Sequence, residues 1–199
     1  MSWGMGERIE LREGAWLELW PRLVPDHLAW LARLERELDL QAERYRMFGR
    51  EVASPRRVAW HGDPGTGYVY SGVHHEPRPW TEGLVALRAQ VDRATGLSFN
   101  AVLCNLYRDG DDGMGWHRDG EKEIGPAPAD RWVASLSLGA PRRFALKPDD
   151  GGERWVRALG EGDLLVMRGT TQTHYRHALP KTKRAVGRRL NLTFRHVVA

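Results

Sequence analysis

His117 and Asp119 stand one residue apart, so in an extended segment both side chains leave the same side of the chain and can reach one metal ion. One more histidine would complete two imidazoles and a carboxylate. That is the donor set of the facial triad that binds non-haem Fe(II) and leaves coordination positions open. His177 follows His117 by sixty residues, and His174 is equally available three residues earlier; His61, His74 and His75 also exist. Spacing leaves the choice among them open, and a lone His-x-Asp is common on surface loops.

A second pattern lies near the end of the chain, in Arg189-Leu190-Asn191-Leu192-Thr193-Phe194-Arg195. On a strand, Arg189, Asn191, Thr193 and Arg195 share one face, and Leu190, Leu192 and Phe194 the other. An edge strand with its polar face in water has the same alternation. Against that reading, Asn105 and Tyr107 share a face with Leu103 in a segment otherwise apolar on both sides. Polar groups on so apolar a strand are buried and need partners. A dicarboxylic acid would satisfy them together, with one arginine for each carboxylate and Asn, Tyr and Thr completing the hydrogen bonds. An open iron site beside such a bed suggests a 2-oxoglutarate-dependent oxygenase.

The elements that must position these residues are partly legible. Leu28, Leu31, Leu34 and Leu38 predict an amphipathic helix over 27–39, with Asp26 able to cap it. A second helix is predicted over 80–95, with Leu84, Leu87 and Val91 inward and Gly96 just past its end. The stretch from Tyr45 to Trp80, rich in Gly, Pro, His and aromatics, reads as short strands and loops outside the core; Tyr68 and Tyr70 fall on one strand face. From residue 98 the chain turns β-rich. Strands are expected at Ser98–Tyr107, Val133–Gly139, Arg142–Lys147, Trp155–Leu159, Asp163–Met167 and Arg189–Val198. The predicted fold class is mainly β with flanking helices: a double-stranded β-helix, or jelly-roll, barrel with an N-terminal extension. Residues 1–199 are read as a single domain, 1–97 carrying the helices and the loop-rich extension and 98–199 the barrel.

Composition narrows the setting. The 199 residues are 41% hydrophobic and 28% charged, ordinary for a globular protein with a sizeable core. A net charge of +4, carried mostly by arginine, agrees with an anionic partner. One cysteine, Cys104, excludes an intramolecular disulfide and fits a reducing compartment. No apolar run opens the chain, and none approaches the roughly 20 residues of a membrane span. The expectation is a cytoplasmic protein without membrane association, and a monomer by default.

The chain also resembles a known family, the AlkB-like Fe(II)/2-oxoglutarate dioxygenases that repair alkylated nucleic acids, above all their vertebrate DNA-repair branch. The resemblance runs from Met47 to His196 and rests on five motifs in order. These are Phe99-Asn100-x-x-Leu103-Cys104-Asn105-Leu106-Tyr107, Trp116-His117-Arg118-Asp119, Ala134-Ser135-Leu136-Ser137-Leu138-Gly139-Ala140, Thr173-His174-Tyr175-Arg176-His177-x-Leu179-Pro180 and the 189–195 segment. It implies that His117, Asp119 and His177 bind Fe(II), which selects His177 over His174. It implies that Asn105, Tyr107, Arg189, Asn191, Thr193 and Arg195 hold 2-oxoglutarate, with O₂ as the second cosubstrate. The implied reaction is oxidative demethylation of 1-methyladenine and 3-methylcytosine in alkylated DNA, or in RNA, releasing formaldehyde, succinate and CO₂. The same chemistry on a protein side chain or a small metabolite is a rival reading, and a non-catalytic jelly-roll binding module is a second. Intact ligands and both arginines oppose the second rival.

On the substrate side, the resemblance aligns Tyr68 and Tyr70 with a substrate-contacting segment, and Glu121 stands two residues beyond Asp119. Aromatic walls suit a flat cationic base. Arg56-Arg57 and the basic run 181–189 are expected to hold phosphates. Relatives in the DNA-repair branch carry a second acidic residue directly after the metal-binding Asp, where this chain has Gly120. Met47-Phe48-Gly49-Arg50 is similar to a hairpin that inserts an aromatic finger into the base stack, with Phe48 as the finger. Phe48→Ala is therefore expected to reduce demethylation of duplexes much more than of single strands. Equal losses on the two forms would refute the finger.

Overall fold

The structure, a computed structural model, describes residues 6–47, 50–70, 73–119 and 132–198, with the side chains of 43–47, 50–53, 68–70 and 73–75 outside that description. Two antiparallel sheets and two long helices dominate the described residues, beside a two-stranded ribbon and one short helix. The large sheet has the strand order β1-β2-β12-β9-β14-β7-β4-β3. Its members are β1 (Glu7–Glu10), β2 (Ala15–Trp20), β3 (Gln41–Met47), β4 (Arg50–Gly62), β7 (Ala101–Tyr107), β9 (Val133–Gly139), β12 (Asp163–Gly169) and β14 (Arg189–Arg195). The small sheet runs β11-β10-β13-β8, from β8 (Met114–His117), β10 (Arg142–Pro148), β11 (Trp155–Leu159) and β13 (Tyr175–Leu179). A separate ribbon pairs β5 (Tyr68–Tyr70) with β6 (Val73–His75).

Each face of the large sheet has its own cover. On one side, α1 (His27–Glu37) and α2 (Glu82–Thr95) pack Leu31, Leu34, Leu84, Leu87 and Val91 against Leu136, Leu138, Leu164, Val166, Leu190, Leu192 and Phe194. On the other, Leu17, Leu19, Val133, Leu165 and Met167 meet Phe144, Leu146, Leu159 and Tyr175 of the small sheet. Two sheets enclosing an interior, with helices outside, form the jelly-roll architecture expected from the strand pattern.

Several details differ from the sequence reading. Four strands of the large sheet, β1 to β4, come from before residue 98. β4 brings Val58, Ala59 and Trp60 into the core, so the stretch before Trp80 is not confined to loops and short strands. Its Pro and Gly residues obscure a 13-residue strand. In β2, Ala15, Leu17 and Leu19 are buried at period two, a signal only six residues long. Leu28 is 64% exposed. Steps of three residues drift by roughly 60° around a helix, which keeps Leu31, Leu34 and Leu38 together and turns Leu28 away. Asp26 makes no side-chain cap. α2 follows expectation: Thr81 accepts a hydrogen bond from Leu84 N at 3.3 Å, and Gly96 ends the helix with φ 67°.

Candidate metal centre and its polar bed

β8 and β13 pair antiparallel with His117 directly opposite His177, and their rings lie 4.2 Å apart. The cross-strand register thus brings together two histidines sixty residues apart in sequence. Asp119 follows on the same extended segment, and its N–H donates to Gln172 Oε1 at 2.9 Å. Its carboxylate sits 3.9 Å from His117 Nε2 and 3.8 Å from His177 Nε2. The three ligand atoms all lie within 4.8 Å of one another, forming a metal-binding site of two nitrogens and one oxygen. His174, the rival third ligand, lies exposed at the end of α3 (Thr171–His174).

The surroundings set each ligand's orientation and charge. His117 Nδ1 is 2.8 Å from the Gly115 carbonyl, which can only accept, so Nδ1 carries the proton and the Nε2 lone pair is free for a metal. Phe144 stacks on the His177 ring at 5.5 Å. Burial, helped by His117, pushes the His177 imidazole down to about 3, outweighing the pull of Asp119. Burial alone would raise the Asp119 carboxyl, but Arg195, both histidines and Arg56 outweigh it and hold the group below the usual carboxylate range. At neutral pH the site therefore presents a neutral buried imidazole and an ionised carboxylate, the protonation states a divalent metal requires. The donor set fits Fe(II).

Beside the triad lies the polar face of β14. That strand runs between β9 and β7, so Asn191 is flanked by Ser137 and Asn105, Thr193 by Ser135 and Leu103, and Arg189 by Gly139 and Tyr107. All four polar residues of β14 are buried. This rules out the edge-strand account of the alternation, because neither face meets water. Arg189 donates to Ser137 Oγ at 2.8 Å, Asn191 to Ser135 Oγ at 2.8 Å, and Thr193 to Asn191 Oδ1 at 3.1 Å. Arg195 donates to Asp119 Oδ1 at 3.0 Å and so couples the bed to the metal ligands. Among the described residues no carboxylate lies within ion-pair distance of Arg189. Burial draws its guanidinium down to about 10, although Tyr107 opposes this. A buried cation with no carboxylate at ion-pair distance among the described residues, facing the same pocket as the triad, fits the carboxylate of a small acid.

Ser135, Ser137, Gln172 and Arg56 complete the site without having been singled out for it. The two serines are the small polar members of an Ala-Ser-Leu-Ser-Leu alternation, which was the available signal. Gln172 left none, because it reaches Asp119 only through the tertiary fold. Arg56 is buried in the pocket wall, with Nη1 against Met114 Sδ, rather than on a phosphate-facing surface; Arg57 beside it is exposed. Tyr68 and Tyr70 bound β5, their side chains outside the described residues, as are Phe48, Gly120 and Glu121. β3 and β4 pair as far as Met47 opposite Arg50, on either side of Phe48 and Gly49.

A jelly roll carrying two histidines and an aspartate at its mouth, beside an arginine-lined polar bed, defines a non-haem iron oxygenase. Residues 22–195 match the 2OG-Fe(II) oxygenase superfamily, and the chain belongs to it. Over 181 residues it is 38% identical to the DNA oxidative demethylase ALKBH2 of Mus musculus, covering 83% of this chain and 74% of that one. It is 42% identical over 153 residues to the alpha-ketoglutarate-dependent dioxygenase alkB homolog 3 of Bos taurus, covering 72% of this chain and 52% of that one. The solved structure of OsALKBH1 superposes with a TM-score of 0.66 at 18% identity, covering 96% of this chain and 100% of that one, a likeness of fold. The superfamily's cofactors are Fe(II), 2-oxoglutarate and O₂.

Protonation of the site gives a stability test. An unfolded His177 titrates near 6.5 and the folded one near 3, so between these values the unfolded chain binds a proton that the fold refuses. Stability of the metal-free protein is expected to fall as pH drops below about 6.5, with Asp119 adding a loss in the same direction below its unfolded value. Urea unfolding at a series of pH values measures this. His177→Gln should flatten the slope between pH 6 and 4 by about one proton, and an unchanged slope would show that the imidazole is not buried neutral.

Proposed function

We propose that this protein demethylates N-alkylated bases, 1-methyladenine and 3-methylcytosine, in DNA, and so reverses alkylation damage directly. The observation that carries the proposal is the triad, with Asp119 and His177 buried, sharing one pocket with Arg189, a buried cation with no carboxylate at ion-pair distance among the described residues. The nucleic-acid substrate is supported by the relatives named as DNA oxidative demethylases. The proposal includes one working domain of 199 residues acting as a monomer in the cytoplasm. The buried free thiol of Cys104 suits a reducing compartment, and among the described residues no helix is long and apolar enough to cross a membrane.

In this reading His117, Asp119 and His177 hold Fe(II). Arg189, with Tyr107 beside it, receives one carboxylate of 2-oxoglutarate, and Asn105, Asn191 and Thr193 complete the bed. Arg195 steadies Asp119 and lines the same pocket, where it is assigned to the second carboxylate. Fe(II) and 2-oxoglutarate held here would supply the activation of O₂: one of its oxygen atoms converts the N-methyl group to hydroxymethyl, which leaves as formaldehyde, and the other ends in succinate as 2-oxoglutarate loses CO₂. The chain's own contribution is orientation and exclusion of water: apolar Val58, Leu103, Met114 and Phe144 wall the pocket around the triad. Tyr68 and Tyr70 are assigned to stacking on the cationic base, Glu121 to complementing its charge, and Phe48 to occupying the gap left when the base leaves the stack.

Formaldehyde release and mass loss from oligonucleotides carrying either base, as DNA and as RNA, test the proposal. Asp119→Ala is expected to abolish both, together with succinate formation. Succinate production without demethylation of any oligonucleotide would favour a protein or small-metabolite substrate, and no succinate at all would favour a binding module. Arg189→Leu is expected to raise the KM for 2-oxoglutarate about 10- to 100-fold, the loss of a charged hydrogen-bond pair, with Fe(II) affinity retained.

A further inference from the structure

The small sheet has a second face, turned away from the iron. Trp116 immediately precedes His117 on β8, so alternation sends its ring to the opposite side of the wall from that ligand. The residue is 36% exposed. Lys147 Nζ lies 4.5 Å from the ring centroid and the Arg154 guanidinium 5.6 Å. Arg176 stands opposite Lys147 on the neighbouring strand, and the three cations border one open hollow with Asp149. That carboxylate is engaged by Arg118 and Arg176, and Asp150 by Arg12. Among the described residues no carboxylate lies within ion-pair distance of Lys147 or Arg154. None of Trp116, Lys147 and Arg154 lines the iron pocket.

An exposed indole beside cations that lack carboxylate partners has the chemistry of single-stranded nucleic-acid recognition. Both cations lie over the ring, so a base stacks on it as they swing from the indole to the adjoining phosphates. A duplex covers both faces of its bases by stacking, so only an unpaired strand presents a base to this ring. We propose that the outer face of the small sheet is a binding track for the unpaired strand flanking the target nucleotide, with Trp116 stacking one base and Lys147 and Arg154 holding phosphates. The inference rests on the nucleic-acid reading above and deepens it: a preference for single strands would originate outside the iron pocket.

Fluorescence anisotropy of the Fe(II)-loaded protein under anaerobic conditions tests this, using a labelled 1-methyladenine oligonucleotide alone and annealed to its complement. Trp116→Ala is expected to weaken single-strand binding about tenfold while duplex binding stays within about twofold, and Trp116→Phe to keep most of the affinity. Lys147→Ala with Arg154→Ala is expected to reduce the slope of log affinity against log salt by about 1.4, two contacts at roughly 0.7 each. Succinate formed without nucleic acid should match the unsubstituted protein in every variant, which separates loss of the track from damage to the neighbouring ligand. Should Trp116→Ala disturb that turnover, the double variant decides, and an unchanged salt slope overturns the track. Single-strand affinity unchanged in Trp116→Ala, or equal losses on both forms, overturns the track and leaves the demethylase reading standing. An unsubstituted protein that neither binds nor demethylates any oligonucleotide overturns both.

Discussion

β14 is buried on both faces, and the site follows from that. Its Leu190, Leu192 and Phe194 are locked under α1 and α2, so Arg189, Asn191, Thr193 and Arg195 have nowhere to point except between the sheets. Burying two guanidinium groups costs several kcal/mol each unless they are paired. The fold answers with Ser135 and Ser137 on the neighbouring strand, with Asp119 for Arg195, and with an open pocket in front of Arg189. The apolar side of one strand thus holds in place the polar side on which the chemistry depends.

The metal ligands depend on the same enclosure from the opposite wall. β13 and β8 set His177 against His117, Phe144 stacks on one ring, and the Gly115 carbonyl fixes the tautomer of the other. Burial keeps His177 neutral, while surrounding cations keep Asp119 ionised against the same burial. Opposite environments for two ligands within 4 Å leave the site ready for a divalent metal without proton release. Arg195 joins the two walls, because it belongs to the bed by its strand and to the metal centre by its hydrogen bond.

Much of this was legible one strand at a time. Period-two alternation identified β9, β11 and the functional face of β14 closely, and α2 was marked by its apolar spacing and its C-terminal glycine. Alternation says that a strand has two faces, not which face is wet; Asn105 and Tyr107 on an apolar strand oppose the edge-strand account of 189–195, and β9 and β7 on either side exclude it. β2 and β4 escaped because one is short and the other is interrupted by Pro55 and bordered by glycine-rich sequence. Leu28 misled because an apolar residue at regular spacing need not fall on the buried stripe.

Residue types and order alone determined the donor set, the polar face and the family resemblance, since these depend only on which side chains exist and how they alternate. Which histidine completes the triad follows physically from the tertiary structure: His174 and His177 differ by three residues, and only strand register puts one of them against His117. The parts played by Ser135, Ser137, Gln172 and Arg56 were decided at the same level, through contacts made by residues distant in the chain. So was the contrast between the faces of β8, where one residue separates His117, turned toward the metal centre, from Trp116, left at the surface among cations.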